Sequence, residues 1–135
     1  MRANGCTLIS RSCTTGWLDW AHGELWVCDD GLLRKSLGLV ETVLHLRGGY
    51  GVRQGSVHRL ITPDEIAAIS AGPRNRWTRW DSIAKAELRG GIVTDSLHVE
   101  LRDGRRLKFL WAKVEGASGY LEDVLPRLLG PRYAG

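Results

Sequence analysis

Two stretches of alternating apolar and polar residues, each interrupted by an Asp-Gly pair, constrain this chain more than any other feature. They are GELWVCDDGLLRKSL at residues 23–37 and DSLHVELRDGRRLKFLWA at residues 95–112. A period of two is typical of a strand with one buried face, and glycine supplies the left-handed backbone that many tight turns need. The sequence therefore predicts two β-hairpins in a mainly β fold.

The length of each turn follows from which side chains must face the same way. In the second hairpin, a three-residue turn at 102–104 places apolar residues opposite apolar residues, whereas a two-residue turn would pair apolar with basic ones. We expect the same turn length at 29–31. The predicted partners are Val99 with Leu107 and Leu97 with Phe109 in the second hairpin, and Val27 with Leu33 and Trp26 with Arg34 in the first.

Two helices are predicted as well. TPDEIAAIS begins with Thr62 as N-cap, continues with Pro63 at the first helical position and has Glu65 where a capping box requires it, so a short helix is expected near 63–70. Near the C-terminal end, apolar residues recur at helical spacing, namely Leu121, Val124, Leu125, Leu128 and Leu129. A bent sheet capped by this second helix would bury both apolar sets.

Composition narrows the class of protein. The chain has 135 residues, of which 43% are apolar and 25% charged, which suits one folded domain. No apolar run approaches the ~20 residues of a bilayer span. The three cysteines, Cys6, Cys13 and Cys28, are an odd number without a disulfide pattern, so we expect a reducing, cytoplasmic compartment.

Three stretches together resemble a known family. They are GELWVCDDGLLRKSLG, RWDSIAKAEL and LHVELRDGRRLKFLW, the last followed by the C-terminal helix. In this order they resemble a bacterial pleckstrin-homology-like (PH-like) domain, from the superfamily that also contains GRAM domains. The resemblance implies two roughly orthogonal antiparallel sheets of about seven strands, forming a partly open barrel that the helix caps.

The resemblance covers residues 16–130 and divides the chain accordingly. Residues 1–15 are expected to be an N-terminal extension and residues 131–135 a C-terminal tail. Residues 40–73 are longer than in simple members, and we interpret them as an insertion that contains the short helix and the glycine-rich segment 48–55.

The segment RNRWTRW at 74–80 carries the main functional hypothesis. Trp80 is expected in the core, whereas Arg74, Arg76, Trp77 and Arg79 would form a basic and aromatic patch for nucleic acid or an anionic membrane. The alternative is that these arginines lie over the fold and stack on tryptophan. The net charge of +4 favours anionic partners modestly. Further candidates for partner binding are Arg34, Lys35, Arg105 and Arg106.

Enzyme chemistry finds little support in the sequence. The four histidines are scattered, and neither a nucleophile elbow nor a phosphate-binding loop occurs. We therefore expect no enzyme, no metal site and no cofactor. The predicted function is a cytoplasmic binding module that engages a protein partner, or a second copy of itself, through an exposed sheet edge and residues 40–61. The alternative is an anionic-surface binder, peripheral to the membrane or bound to nucleic acid, that uses residues 74–80.

Overall fold

The computed structural model describes residues 3–14, 23–36, 58–72 and 75–134. The strands and helices in these ranges are β1 (Asn4–Cys13), β2 (Gly23–Cys28), β3 (Gly31–Ser36), β4 (His58–Ile61), α1 (Pro63–Ser70), β5 (Arg76–Arg79), β6 (Ile83–Arg89), β7 (Thr94–Leu101), β8 (Arg106–Ala112), α2 (Ala117–Leu129) and β9 (Tyr133–Ala134). Arg74 and the glycine-rich segment 48–55 lie outside the described residues.

The strands form two sheets that meet at two borders. Sheet 1 has the order β4-β1-β2-β3-β5, and sheet 2 has the order β8-β7-β6-β9. Thr14, just beyond β1, exchanges two backbone hydrogen bonds of 2.8 Å with Leu110 of β8. A single 3₁₀ turn, Trp80–Ser82, carries the chain from β5 in sheet 1 to β6 in sheet 2. The result is a partly open barrel with a C-terminal helix, which confirms the predicted mainly β fold class.

The main core lies between the two sheets and one face of α2. Strand β7 contributes Leu97 and Val99, and β8 contributes Phe109 and Trp111, all of which are buried. Helix α2 buries a stripe at every fourth position: Ala117, Leu121, Leu125 and Leu129. The spacing of four places these side chains on one side of the helix, so α2 closes the core as the sequence predicts.

A second, smaller core lies on the outer face of sheet 1. Helix α1 covers this face and contributes Ile66 to a buried cluster that includes Leu8, Trp26 and Leu33. The helix begins as predicted: Thr62 Oγ1 accepts a hydrogen bond of 3.2 Å from the Glu65 backbone N–H, and the Glu65 carboxylate accepts one from the Thr62 N–H. Sheet 1 therefore carries apolar residues on both faces: one face lines the main core, and the other lies under α1.

The β7–β8 hairpin confirms its predicted register. Val99 lies opposite Leu107 and Leu97 lies opposite Phe109. The turn has three residues, and Gly104 adopts a φ of 92°, the left-handed conformation that glycine occupies at low cost. The Arg105 carbonyl accepts a hydrogen bond of 2.8 Å from the Leu101 N–H, which closes the turn.

The β2–β3 hairpin differs from its prediction by one residue. Val27 lies opposite Leu32 and Trp26 opposite Leu33, so the turn has two residues, Asp29 and Asp30, rather than three. The predicted register assumed one polar face, but both faces are apolar here, and alternation alone does not fix the register of such a strand. Gly31 serves close packing instead of the turn, because a Cβ there would lie 2.9 Å from the Trp77 ring of β5.

The two ends of the chain are more integrated than the sequence predicts. Residues 1–15 were expected to lie outside the domain, yet Asn4–Cys13 form the ten-residue strand β1 of sheet 1, paired with both β2 and β4. Two irregularities in the β1–β2 register interrupt the alternation, which hides the strand from a period-two pattern. Within the predicted tail 131–135, Tyr133 and Ala134 pair with β6.

The cysteines also differ from expectation. Cys6 and Cys28 lie opposite each other on β1 and β2, with their Cα atoms 4.0 Å apart, and form a disulfide in the second core. The prediction of no disulfide is therefore wrong for this pair. It counted three cysteines along the sequence, whereas the pairing depends on a strand that the sequence did not reveal. Cys13 lies outside the disulfide and is buried.

Candidate functional site

The basic segment 74–80 does not form one surface in its described part. On β5, Thr78 is buried opposite Leu32, whereas Trp77 lies opposite Leu33 and packs against the second core. Arg76 shares the face of Thr78, and Arg79 shares the face of Trp77, because side chains alternate along a strand. The two exposed arginines therefore point to opposite faces of sheet 1.

Trp80 and Arg79 have structural partners. Trp80 is buried as predicted, and its indole Nε1 donates a hydrogen bond of 2.9 Å to the Cys28 carbonyl. The Arg79 guanidinium lies 3.3 Å from the Asp81 carboxylate, and this hydrogen bond raises the pKa of Arg79. Arg102 Nε donates to the Asp81 carbonyl at 2.7 Å, so the end of β5 meets the β7–β8 hairpin here.

The remaining candidates fall into three environments. Arg34 is fully buried, and its Nη2 donates a hydrogen bond of 3.1 Å to the Cys13 carbonyl, so its side chain is not part of a surface. Lys35 is half-buried opposite Glu24. Arg105 and Arg106 are exposed beside the β7–β8 turn, where Arg105 forms an ion pair of 2.8 Å with Asp103. The structure thus scatters these predicted residues.

The outer edge of β6 is only partly covered by another strand in the described chain. On its inner side β6 pairs with β7 along its whole length, from Ile83 to Arg89. On its outer side, β9 is the one described strand that pairs with it, in parallel, at Ala86 and Glu87. Among the described residues, no strand pairs with the last part of this edge, at Leu88 and Arg89.

A cleft of about 420 Å³ lies between this part of the edge and α2. We call it the β6 cleft. Strand β6 and the loop after it form one wall, and the first turns of α2 form the other. Its lining residues are Leu88, Arg89, Gly90, Asp95, Lys113, Ser118, Glu122 and Tyr133. Apolar surface, two cations, two hydroxyl groups and two carboxylates therefore meet in one space beside an open strand edge.

Asp95 connects several of the residues that line the β6 cleft. Its buried carboxylate accepts hydrogen bonds from the Ser118 hydroxyl of α2 and from the Gly91 N–H, and Lys113 Nζ lies 3.3 Å away. Burial opposes its ionisation, but these hydrogen bonds together hold the pKa of Asp95 below its ordinary value. The ionised carboxylate thus fixes Lys113 and the start of α2 in position.

Arg132 holds the other end of α2 against the sheets. Its Nη1 donates to the carbonyls of Trp80 and Ile83, both at 2.8 Å, and its Nε donates to the Leu129 carbonyl at 3.2 Å. One guanidinium therefore joins the C-terminal end of α2 to the border between the sheets. Strand β9 follows directly, so Arg132 also determines where Tyr133 meets β6.

Asp95 was not among the predicted site residues, although the sequence contains a signal for it. Asp95 has the same alternation as Leu97, Val99 and Leu101 on β7, which means that a carboxylate occupies an inward-facing position. A charged residue at such a position needs a partner, and Lys113 and Ser118 supply it. Arg34 carries the same signal, since it shares the face of the buried Leu32 on β3.

The described residues were also searched for a metal site and for a membrane-spanning helix. Within 3–14, 23–36, 58–72 and 75–134, no three His, Cys, Asp or Glu residues are grouped so as to hold a metal ion. In the same ranges, no helix has the length and apolar character required to cross a bilayer.

Comparison of the chain with models of known protein families, with curated proteins and with solved structures finds no match.

Proposed function

We propose that the chain is a non-catalytic, PH-like binding module that takes up an extended peptide segment of a protein partner along the outer edge of β6. The observation that carries this proposal is the pairing of the chain's own Tyr133 and Ala134 with Ala86 and Glu87. It supports strand addition because this edge already accepts a parallel strand through main-chain hydrogen bonds.

The β6 cleft supplies side-chain contacts for a longer strand. A peptide that continues past Glu87 meets the backbone of Leu88 and Arg89 on one side and α2 on the other. Alternate side chains of an added strand point the same way, so one set would enter the cleft. Leu88 offers an apolar contact, whereas Arg89 and Lys113 favour a carboxylate on the peptide. We therefore expect a preference for extended segments that contain an acidic residue.

The anionic-surface alternative has weaker support at residues 74–80. Arg76 and Arg79 lie on opposite faces of β5, Trp77 packs under α1, and Arg79 is paired with Asp81. Electrostatic binding to a polyanion needs several cations on one surface. The geometry of β5 does not provide that arrangement among the described residues.

The proposal can be tested with a variant that ends at Arg132 and so lacks β9. This variant keeps the hydrogen bonds of Arg132 to Trp80 and Ile83. The probe is a synthetic peptide with the sequence of residues 130–135, GPRYAG. We expect it to shift the backbone amide NMR signals of residues 83–89 in the truncated variant, and to shift them less in the full chain, where the edge is occupied.

The matched control is the same peptide with proline at the position of Ala134, because proline lacks the N–H that a strand donates. Equal shifts with both peptides, or no shift of the β6 signals in the truncated variant, would contradict strand addition at this edge.

The expected side-chain preference is tested by selecting a random peptide library on the truncated variant. Enriched peptides should contain an acidic residue, and their affinity should fall roughly tenfold when Arg89 is changed to glutamate, with Lys113 kept because it pairs with the buried Asp95. The control is Arg105→Glu, an exposed charge beside the β7–β8 turn. Loss of affinity in the control alone, or in both variants equally, would contradict recognition by the β6 cleft.

A further inference from the structure

Tyr133 shows which side chain the β6 cleft accepts from an added strand. In β9 it lies opposite Ala86, whose side chain is buried in the main core. The Tyr133 ring is half-buried, packs against the same core and lines the β6 cleft. Ala134, the next residue, lies opposite Glu87 and is exposed. Because side chains alternate along a strand, the cleft contacts the side chain at the first of these two positions and not at the second.

Two further lining residues give the Tyr133 side chain an apolar contact and a hydrogen-bond acceptor. Leu88 shares one face of β6 with Ala86, packs against the main core and lines the cleft. Glu122 is an exposed residue of α2 that lines the cleft from the helix side. Burial raises the pKa of Tyr133, and the nearby Glu122 carboxylate raises it further. The phenol therefore keeps its proton well beyond neutral pH and can donate to a carboxylate.

We propose that the β6 cleft selects partner segments that place a tyrosine where Tyr133 lies in this chain, and that Glu122 distinguishes the hydroxyl from a plain phenyl ring. This inference rests on the proposed function, because it states what the added strand must contain. The ring gains from leaving water against Leu88 and the main core. The hydroxyl gains only where an acceptor is within reach, and Glu122 supplies one. At the position of Ala134 the cleft makes no demand on the side chain.

The first test compares four peptides on the variant that ends at Arg132. They are GPRYAG and its Tyr133→Ala, Tyr133→Phe and Ala134→Ser forms, each titrated while the backbone amide NMR signals of residues 83–89 are followed. We expect the alanine form to bind roughly tenfold more weakly or worse, because it loses the buried ring. The phenylalanine form should bind roughly threefold more weakly, because it loses one hydrogen bond. The serine form is the matched control and should bind as GPRYAG does.

The second test asks whether Glu122 determines the preference for the hydroxyl. In the truncated variant, Glu122→Ala should make GPRYAG and its Tyr133→Phe form bind equally, while the Tyr133→Ala form still binds more weakly. The matched control is Asp123→Ala, which removes the next carboxylate of α2, an exposed residue that does not line the cleft. This control should keep the preference for tyrosine. A general effect of charge on the helix would change both variants alike.

The full chain provides a third readout that needs no separate peptide. Tyr133→Ala should move the signals of residues 83–89 toward those of the truncated variant, because β9 loses the side chain that holds it in the cleft. Ala134→Ser should leave these signals in place.

Three results would overturn this inference. They are equal affinity of GPRYAG and its Tyr133→Ala form, a Tyr133→Ala chain whose β6 signals match those of the original, and a tyrosine preference that survives Glu122→Ala. Each of them leaves strand addition standing as long as GPRYAG still shifts the β6 signals of the truncated variant. A truncated variant that binds none of the four peptides would instead contradict both proposals.

Discussion

At the scale of single residues, Trp80 shows how one side chain joins several parts of the fold. It is buried in the main core, it follows β5 directly, and its indole donates to a carbonyl at the end of β2. Its burial was predictable from the RWDSI stretch. Its hydrogen bond to Cys28 was not, because that contact depends on the register of a different hairpin.

We expect Trp80→Ala to lower the free energy of unfolding by about 3–5 kcal/mol, the usual cost of truncating a core tryptophan. Trp80→Phe should lower it less, because the ring keeps most of its packing and loses the hydrogen bond to the Cys28 carbonyl. Urea unfolding followed by circular dichroism measures both. A Trp80→Ala variant as stable as the original chain would show that this residue does not hold the border between the sheets.

Asp95 predicts a dependence of stability on pH. Its folded pKa lies below the unfolded value of about 3.9, so its ionised form stabilises the fold above that pH, and the stabilisation is lost as the pH falls through the folded pKa. Asp95→Asn should lower the free energy of unfolding at pH 7 by on the order of 1–3 kcal/mol. The difference from the original chain should shrink below pH ~4.

Urea unfolding of both proteins at neutral and acidic pH measures this difference, with Asp123→Asn on the exposed face of α2 as control. A difference that stays constant across the range would mean that the Asp95 carboxylate contributes through its shape rather than its charge.

At the scale of elements, the sequence was informative where one face of a strand or helix is polar. The predicted patterns agree with the structure for strands β7 and β8 and for helices α1 and α2. In each of these elements the polar residues mark the face that is in contact with water. Strand β1 was not predicted, and the register of β2 with β3 was predicted wrongly. The reason is that sheet 1 lies between two cores, so its strands carry apolar residues on both faces. The sequence also does not show which distant strands pair with each other. The disulfide of Cys6 with Cys28 depends on such a pairing, that of β1 with β2.

The disulfide leads to a prediction about thiol content. Under denaturing, non-reducing conditions, one thiol per chain, that of Cys13, should react with a maleimide, and three should react after reduction. Closing a loop of this length, with a sequence separation of 22, stabilises the fold by about 3 kcal/mol in the chain-entropy account. Reduction should lower the free energy of unfolding by about that amount. Three reactive thiols before reduction would contradict the pairing.

At the scale of the whole molecule, one edge strand of each sheet is short and pairs on one side only among the described strands. β1 and β2 are central in sheet 1, whereas β4 pairs only with β1 among the described strands. β9 has two residues and pairs only with β6.

The overall architecture was predictable because strand patterns followed by an amphipathic helix permit few arrangements. The β6 cleft was not, since it arises where residues from β6, β7 and α2 meet.

Native-state hydrogen exchange should reflect this difference. We expect the amides of β4 and β9 to exchange much faster than those of β1, β2 and β7, because short edge elements open without unfolding the core. Mass spectrometry of peptides after timed exchange measures it. Protection of β9 equal to that of β7 would mean that the edge of β6 is permanently filled, which would count against its use by a partner strand.

The hydrogen bonds of Arg132 bear on the order in which the molecule is completed during synthesis. The carbonyls of Trp80 and Ile83 are made long before the guanidinium that binds them, and β1 reaches β8 only after almost a hundred further residues have been added. A ribosome that has made the strands of both sheets through β8 has therefore not yet supplied the helix that closes the barrel. Until α2 emerges, the part of the main core that this helix covers stays exposed, and chaperones that bind apolar segments can reach it.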